Sequence, residues 1–234
     1  MTTLINFNKK KKVGVIYFPE RNVIRKFTFN KKSYKLIINE TKGFEWYQIR
    51  NKNILKNSQK IIHKSKNYVD FPIIVGKQKK FWRYLENYYE EAEAVVAHYK
   101  KVWPNQNMVP CHGDLTFSNI IFNNNQPIII DWENFLANKM VWGFDLSYFL
   151  ISTVSLPSLF HKDKKIKNKE LILLEKLWRN TFKSKKQKFL HKPVNYLKSS
   201  FGKTFIMRDY FDYFPNLLSK YKIEQINEVL KINR

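Results

Sequence analysis

Cysteine is nearly absent from this 234-residue chain. Cys111 stands alone, which excludes an internal disulfide framework and a structural zinc site and fits a reducing, cytoplasmic compartment. Acidic residues are scarce as well: 19 Asp and Glu face 43 Lys and Arg, for a net charge of +24. No apolar run approaches the roughly 20 residues of a membrane-spanning helix. The stretch from Met1 to the lysines at Lys9 carries no signal-peptide apolar core. A glycine-rich phosphate loop is missing too. Gly202-Lys203-Thr204 imitates the end of one, but Leu197 stands where the first glycine is required. There is no Gly-x-Ser-x-Gly element of a hydrolase, and the five histidines lack metal-ligand spacing.

What is present is enough for a packed core. Hydrophobic residues make up 44% and aromatics 16%, which places the chain with globular proteins of one domain or two joined lobes despite its charge. The surplus of cations favours anionic partners: nucleic acid, acidic lipid or phosphorylated metabolites. The lysines are spread along the whole chain and no recognised nucleic-acid module accompanies them, so nucleic acid is not the expected partner.

Residues 13–18 and 23–29 are β-rich runs split by Pro19-Glu20-Arg21-Asn22, the pattern of a hairpin. Leu36, Ile37, Glu40, Phe44 and Tyr47 recur at helical spacing across 33–50, with Gly43 as an interruption. Two apolar stretches within 61–75 complete a small sheet. From residue 79 the spacing of Phe81, Leu85, Tyr88, Ala92, Val95 and Tyr99 predicts a long helix, ended by Pro104. Residues 119–122 and 127–131 form a second hairpin around an Asn-Asn-Asn-Gln turn. Helices are expected at 145–154, 169–182, 203–214 and 223–231. The fold class is therefore α+β, with a small strand-rich lobe at 1–76 and a mainly helical lobe at 77–234, joined near Gly76.

The chemistry concentrates in Cys111-His112-Gly113-Asp114-Leu115-Thr116-Phe117-Ser118-Asn119 and in Ile128-Ile129-Ile130-Asp131-Trp132-Glu133. An Asp and an Asn five residues apart share a tight loop, and a second Asp leaves the next strand. A hairpin of this shape brings Asp114, Asn119 and Asp131 towards one point. Oxygen ligands alone suit a hard cation such as Mg²⁺, which keeps waters and phosphate oxygens beside one or two carboxylates. A carboxylate left outside that set can orient a hydroxyl and accept its proton, which outlines a site for phosphoryl transfer.

HGDLTFSN followed by IIIDWE resembles the catalytic loop and metal-binding strand of the aminoglycoside phosphotransferase and choline kinase group, small-molecule kinases with a protein-kinase-like, two-lobe fold. The resemblance implies ATP and Mg²⁺ as cofactors, Asp114 as catalytic base, and Asn119 and Asp131 as magnesium ligands. It implies that Glu133 supports a second metal or the substrate, that Asp145 braces the catalytic loop, and that His112 is structural. Lys26 corresponds to the strand lysine that reaches the nucleotide phosphates, with Glu40 as its helix partner and Glu45 as the alternative. Backbone groups around Val75, Gly76 and Lys77 would meet the nucleotide base. The chain departs from the family at the nucleotide loop, where Gly14 is the only glycine and Lys9–Lys12 would replace part of a backbone cradle.

The expected activity is transfer of the ATP γ-phosphate to a hydroxyl of a small molecule, sugar or lipid-linked glycan. The scarcity of carboxylates favours an anionic acceptor over a polycationic one, and the basic surface suits peripheral contact with an anionic membrane. A kinase-fold binding module without catalysis and a basic nucleic-acid-binding protein are the alternatives.

Overall fold

A computed structural model describes residues 3–9, 12–51, 63–183, 188–204 and 214–231. The first lobe is an antiparallel sheet of β1 (Thr3–Asn8), β2 (Val13–Phe18), β3 (Val23–Phe27), β4 (His63–Lys64) and β5 (Tyr68–Pro72), in the order β1-β2-β3-β5-β4. Between β3 and β4 runs α1 (Lys31–Arg50), which starts where the Asn30 side chain accepts the Lys32 and Ser33 amides. Such a cap satisfies donors that the first turn leaves free. The β2–β3 connection turns through Asn22 in the left-handed region (φ 53°), a conformation asparagine tolerates. Lys10 and Lys11 of the expected nucleotide loop lie outside the described residues.

Gly43 is explained by what faces it. A Cβ at this position would stand 2.6 Å from Trp132 Cβ and 2.9 Å from Phe135 Cβ, so α1 lies directly on the segment that follows Asp131. Glycine to alanine inside a helix ordinarily stabilises by about 1 kcal/mol. Here the overlap decides the sign, and Gly43→Ala is expected to cost roughly 1–3 kcal/mol, read as a lowered Tm. An unchanged or raised Tm would contradict the close packing.

The rest of the chain, after β5, opens with β6 (Lys77–Gln78), which pairs Lys77 with Phe122 and Gln78 with Ile121. It contains α2 (Tyr89–Val102), β7 (Met108–Cys111), β8 (Ile120–Asn123), β9 (Gln126–Ile129) and β10 (Leu136–Val141). Helices α3 (Phe144–Phe160), α4 (Asn168–Phe182), α5 (Pro193–Thr204), α6 (Phe214–Leu217) and α7 (Lys220–Val229) follow. The β8–β9 turn has Asn124 and Asn125 at φ 48° and 62°, the paired positive angles of a tight hairpin. The architecture is α+β in two lobes, as expected.

Several boundaries differ from the sequence reading. The long helix begins at Tyr89, not near residue 79, because Glu170 of α4 accepts the amides of Leu85 (2.5 Å) and Glu86 (3.4 Å) and fixes a separate short turn there. The helix stops at Val102, and Trp103 before Pro104 is extended. The FPIIV run is strand only as far as Pro72. Strands β7 and β10 pair with each other and were not foreseen: one contains Pro110 and the other is interrupted by Asn138 and Lys139. The helix expected at 203–214 falls mainly on residues 205–213, outside the described residues, and α5 (Pro193–Thr204) was not foreseen.

Candidate active site

The 111–119 segment is shaped by its backbone. Gly113 (φ 88°) and Gly143 (φ 86°) both take angles that glycine adopts without penalty. Asp145, in the first turn of α3, is fully buried and accepts the amides of His112 (2.8 Å) and Gly113 (2.9 Å) and the Cys111 thiol (3.0 Å). One carboxylate thereby binds three consecutive residues of the loop to the end of a helix. Burial pushes both the Asp145 carboxyl and the Cys111 thiol up. His112 Nε2 faces Ile130 O at 2.8 Å, and its Nδ1 accepts the Asp114 amide at 3.2 Å. That pairing requires the neutral Nε2–H tautomer. Burial also lowers the imidazole pKa, so His112 holds the loop and is not poised to take a proton.

Asp114 is held from two sides. Tyr148 of α3 donates its hydroxyl to Oδ1 at 2.9 Å. Asn119 Nδ2 donates to the Asp114 carbonyl (2.7 Å) and to Oδ2 (3.2 Å). Burial raises the Asp114 carboxyl to about 7, with the Asp131 and Glu133 charges adding to the rise and the Tyr148 and Asn119 hydrogen bonds opposing it. Tyr148 was not identified in the sequence. It lies one helical turn past Asp145, a spacing of three that turns both side chains to the same loop, and this was the available signal.

Asp131 follows β9 and sits in the left-handed region at φ 62°. This is a sparsely populated angle for any residue with a side chain and recurs at functional sites. Its carboxylate meets the Lys26 ammonium at 2.9 Å, and Lys26 meets Glu40 of α1 at 2.6 Å. Burial pulls the Lys26 ammonium down, but Asp131 and Glu40 outweigh it and leave it above the ordinary lysine range. Burial pushes the Glu40 carboxyl up, and the ammonium beside it works against that rise. Glu45, the alternative partner, pairs with Lys64 on the surface.

Trp132 turns into the core, stacked on Trp103 with ring centres 5.9 Å apart, and leaves Asp131 and Glu133 on the partly exposed side. Val75 is exposed, and a Cβ on Gly76 would stand 2.5 Å from Phe122 O. The Val75–Lys77 segment therefore runs hard against β8.

The donor set suits a hard cation. Both Asn119 amide hydrogen bonds go to Asp114, which turns Oδ1 into the atom available for a metal, and Asp131 offers a carboxylate that is 36% exposed. Among the described residues, no three or more His, Cys, Asp or Glu side chains gather to hold a metal by themselves. A cation here needs the amide oxygen and ligands brought from outside, such as phosphate oxygens and water.

Residues 63–154 match the family model APH, described as the phosphotransferase enzyme family. No curated protein matches the sequence. Over 97% of this chain and 93% of that chain, the structure is similar to APH(2″)-IIa in its ternary complex with streptomycin and ATP, at 13% identity and a TM-score of 0.54. Amicoumacin kinase hAmiN in complex with AMP-PNP, Ca²⁺ and Ami is similar over 97% of this chain and 89% of that chain, at 11% identity and a TM-score of 0.48. The first of these likenesses gives the fold, which is protein-kinase-like. The family match covers 92 of the 234 residues, takes in Asp114, Asn119, Asp131 and Asp145, and supports a phosphotransferase.

Proposed function

We propose that this chain transfers the γ-phosphate of ATP, with Mg²⁺, to a hydroxyl of a sugar, lipid-linked glycan or other small anionic acceptor. The observation that carries the reading is the convergence of Lys26, Glu40 and Asp131 beside an Asp114 carboxylate fixed by Tyr148 and Asn119. The nucleotide would lie between a lobe of residues 1–76 and one of residues 77–234, its base near the backbone of Val75 and Lys77. Lys26, oriented by Glu40, would contact the phosphates. Asn119 Oδ1 and Asp131 would hold the metal, and Glu133 would support it or the acceptor. Bound Mg²⁺ and ATP supply the phosphoryl group and the positive charge that offsets the charge developing on it.

Asp114 would accept the hydroxyl proton. Its two hydrogen bonds fix where the carboxylate points, and the Asp145 brace fixes where the loop sits. Such a reaction is governed mainly by positioning and electrostatics, which is what these contacts provide.

An anionic acceptor is favoured by what the helical lobe offers. Among the described residues of α5, α6 and α7, the carboxylates are Glu224 and Glu228 alone, too few to line a cleft for a polycation. The lone buried Cys111 suits a cytoplasmic setting.

Calorimetric titration of ATP into the full chain, with and without Mg²⁺, tests the proposal. Binding that needs the metal is the expected result. A folded sample that binds neither nucleotide nor metal would overturn the proposal in favour of a non-catalytic module.

A further inference from the structure

At the far end of α3 from Asp145, an aromatic cluster reaches the surface. Phe160 is 54% exposed and stacks on Trp82, with ring centres 5.4 Å apart and planes at 21°. Phe81 meets Phe160 edge-on at 6.2 Å. His161 stacks on Tyr84 at 5.1 Å, and its Nε2 lies 2.8 Å from the Trp82 carbonyl, so the two segments 81–84 and 160–161 form one contiguous patch.

Cations surround it. The loop after α3 carries Lys162, Lys164, Lys165 and Lys167, all exposed, and Lys80 and Arg83 are exposed on the other segment. Lys80 Nζ lies 5.5 Å from the centre of Trp82, and Lys167 Nζ 3.7 Å from that of Tyr84. The one acid in the loop, Asp163, accepts the Tyr84 hydroxyl at 3.0 Å. Nearby Lys79 and Lys169 are paired with Glu91 and Glu86 and are not counted.

We propose that this face docks the protein on an anionic lipid bilayer, with Phe160 entering the interface and the lysines meeting the headgroups. Basic residues beside a membrane and inserted aromatic area are separately weak signals and together give stable, reversible attachment. A bilayer fits better than single-stranded nucleic acid because the rings cover one another: the face of Trp82 that a base would need is taken by Phe160. Phe160 is 12 residues along α3 from Tyr148, roughly 18 Å at 1.5 Å per residue, so docking leaves the Asp114 loop uncovered. The proposal rests on surface geometry and does not depend on the phosphotransferase reading.

Co-sedimentation of the full chain with vesicles of phosphatidylcholine, alone or mixed with phosphatidylglycerol, tests it. The wild type should bind the anionic vesicles, should bind the neutral ones hardly at all, and should release as salt rises. K164E/K165E should weaken binding at least about twentyfold, taking about fivefold per lysine lost. F160S should weaken it at a salt concentration where the charge contribution is small. K31E/K32E on α1 makes the same change in charge at another exposed site and should keep most of the binding. Circular dichroism checks that each variant is folded. Failure to bind anionic vesicles, equal binding to both compositions, or unchanged binding by K164E/K165E and F160S would each overturn the proposal. So would equal losses in K164E/K165E and K31E/K32E, which would reduce the effect to net charge. Displacement of the vesicles by a polyuridylate oligonucleotide that binds this same face more tightly would overturn it in favour of nucleic acid.

Discussion

Asp131→Asn is expected to abolish metal-dependent ATP binding in calorimetry and to lower turnover by roughly 10³-fold or more, an electrostatic loss of the size seen when a preorganised charge is removed. The carboxylate is the counter-charge of Lys26 at 2.9 Å and is 36% exposed. Asparagine keeps the shape and tolerates the left-handed angle of φ 62°, so the variant should fold, and loss of binding would report on charge alone. Lys26 would keep Glu40 at 2.6 Å and remain in place. Wild-type affinity in this variant would refute the role of Asp131.

The second large effect concerns Asp114. Replacement by Asn should cost ~10²–10⁴-fold in kcat with little change in nucleotide affinity, because in the proposed role this carboxylate would act only on the acceptor proton. Tyr148→Phe, which removes one of the two groups that orient the carboxylate, should lower kcat less and leave nucleotide binding alone. The pH dependence has a definite sign. Burial lifts the Asp114 carboxyl to about 7, so the rate should climb as pH passes through that value and level off above it. A divalent cation that offsets the Asp131 charge should move the midpoint down. Stability runs the other way: the folded protein holds a proton that the unfolded chain has already lost between the ordinary aspartate range and pH 7, so this residue makes the fold less stable as pH rises. Asp114→Asn removes that slope. Its Tm advantage over wild type should be larger at pH 8 than at pH 5, and a pH-independent difference would show that the carboxyl is not raised.

The parts of the molecule legible in the sequence were those that local chemistry determines. The β2–β3 hairpin has its proline and its asparagine at the turn, and the β8–β9 hairpin has two asparagines where two positive angles are required. Apolar spacing found α1 and identified Glu40 on its buried face. Long-range contacts were not legible. The start of α2 depends on Glu170, 85 residues from Leu85, and no local pattern separates a helix from a capped turn at that point. Strands β7 and β10 exist because they find each other, since Pro110 and the Ala137-Asn138-Lys139 run are poor strand formers alone. Tyr148 escaped notice for a related reason: in an apolar helix it reads as core, and only its 2.9 Å contact reveals a polar task.

Gly43 was read as an interruption of α1, yet it is the reason the helix can lie against Trp132 and Phe135. The same helix is fastened a second time by Tyr47, whose hydroxyl takes the Ile129 amide at 3.2 Å and lies 2.7 Å from His98 Nε2 in α2. Kinases that are switched by outside signals commonly do so by swinging the helix that carries the lysine's glutamate partner. Here that helix is seated on the strand that delivers Asp131, so moving Glu40 would mean breaking buried hydrogen bonds and opening a packed aromatic layer. A joint packed in this way resists the swing that would carry Glu40 away from Lys26.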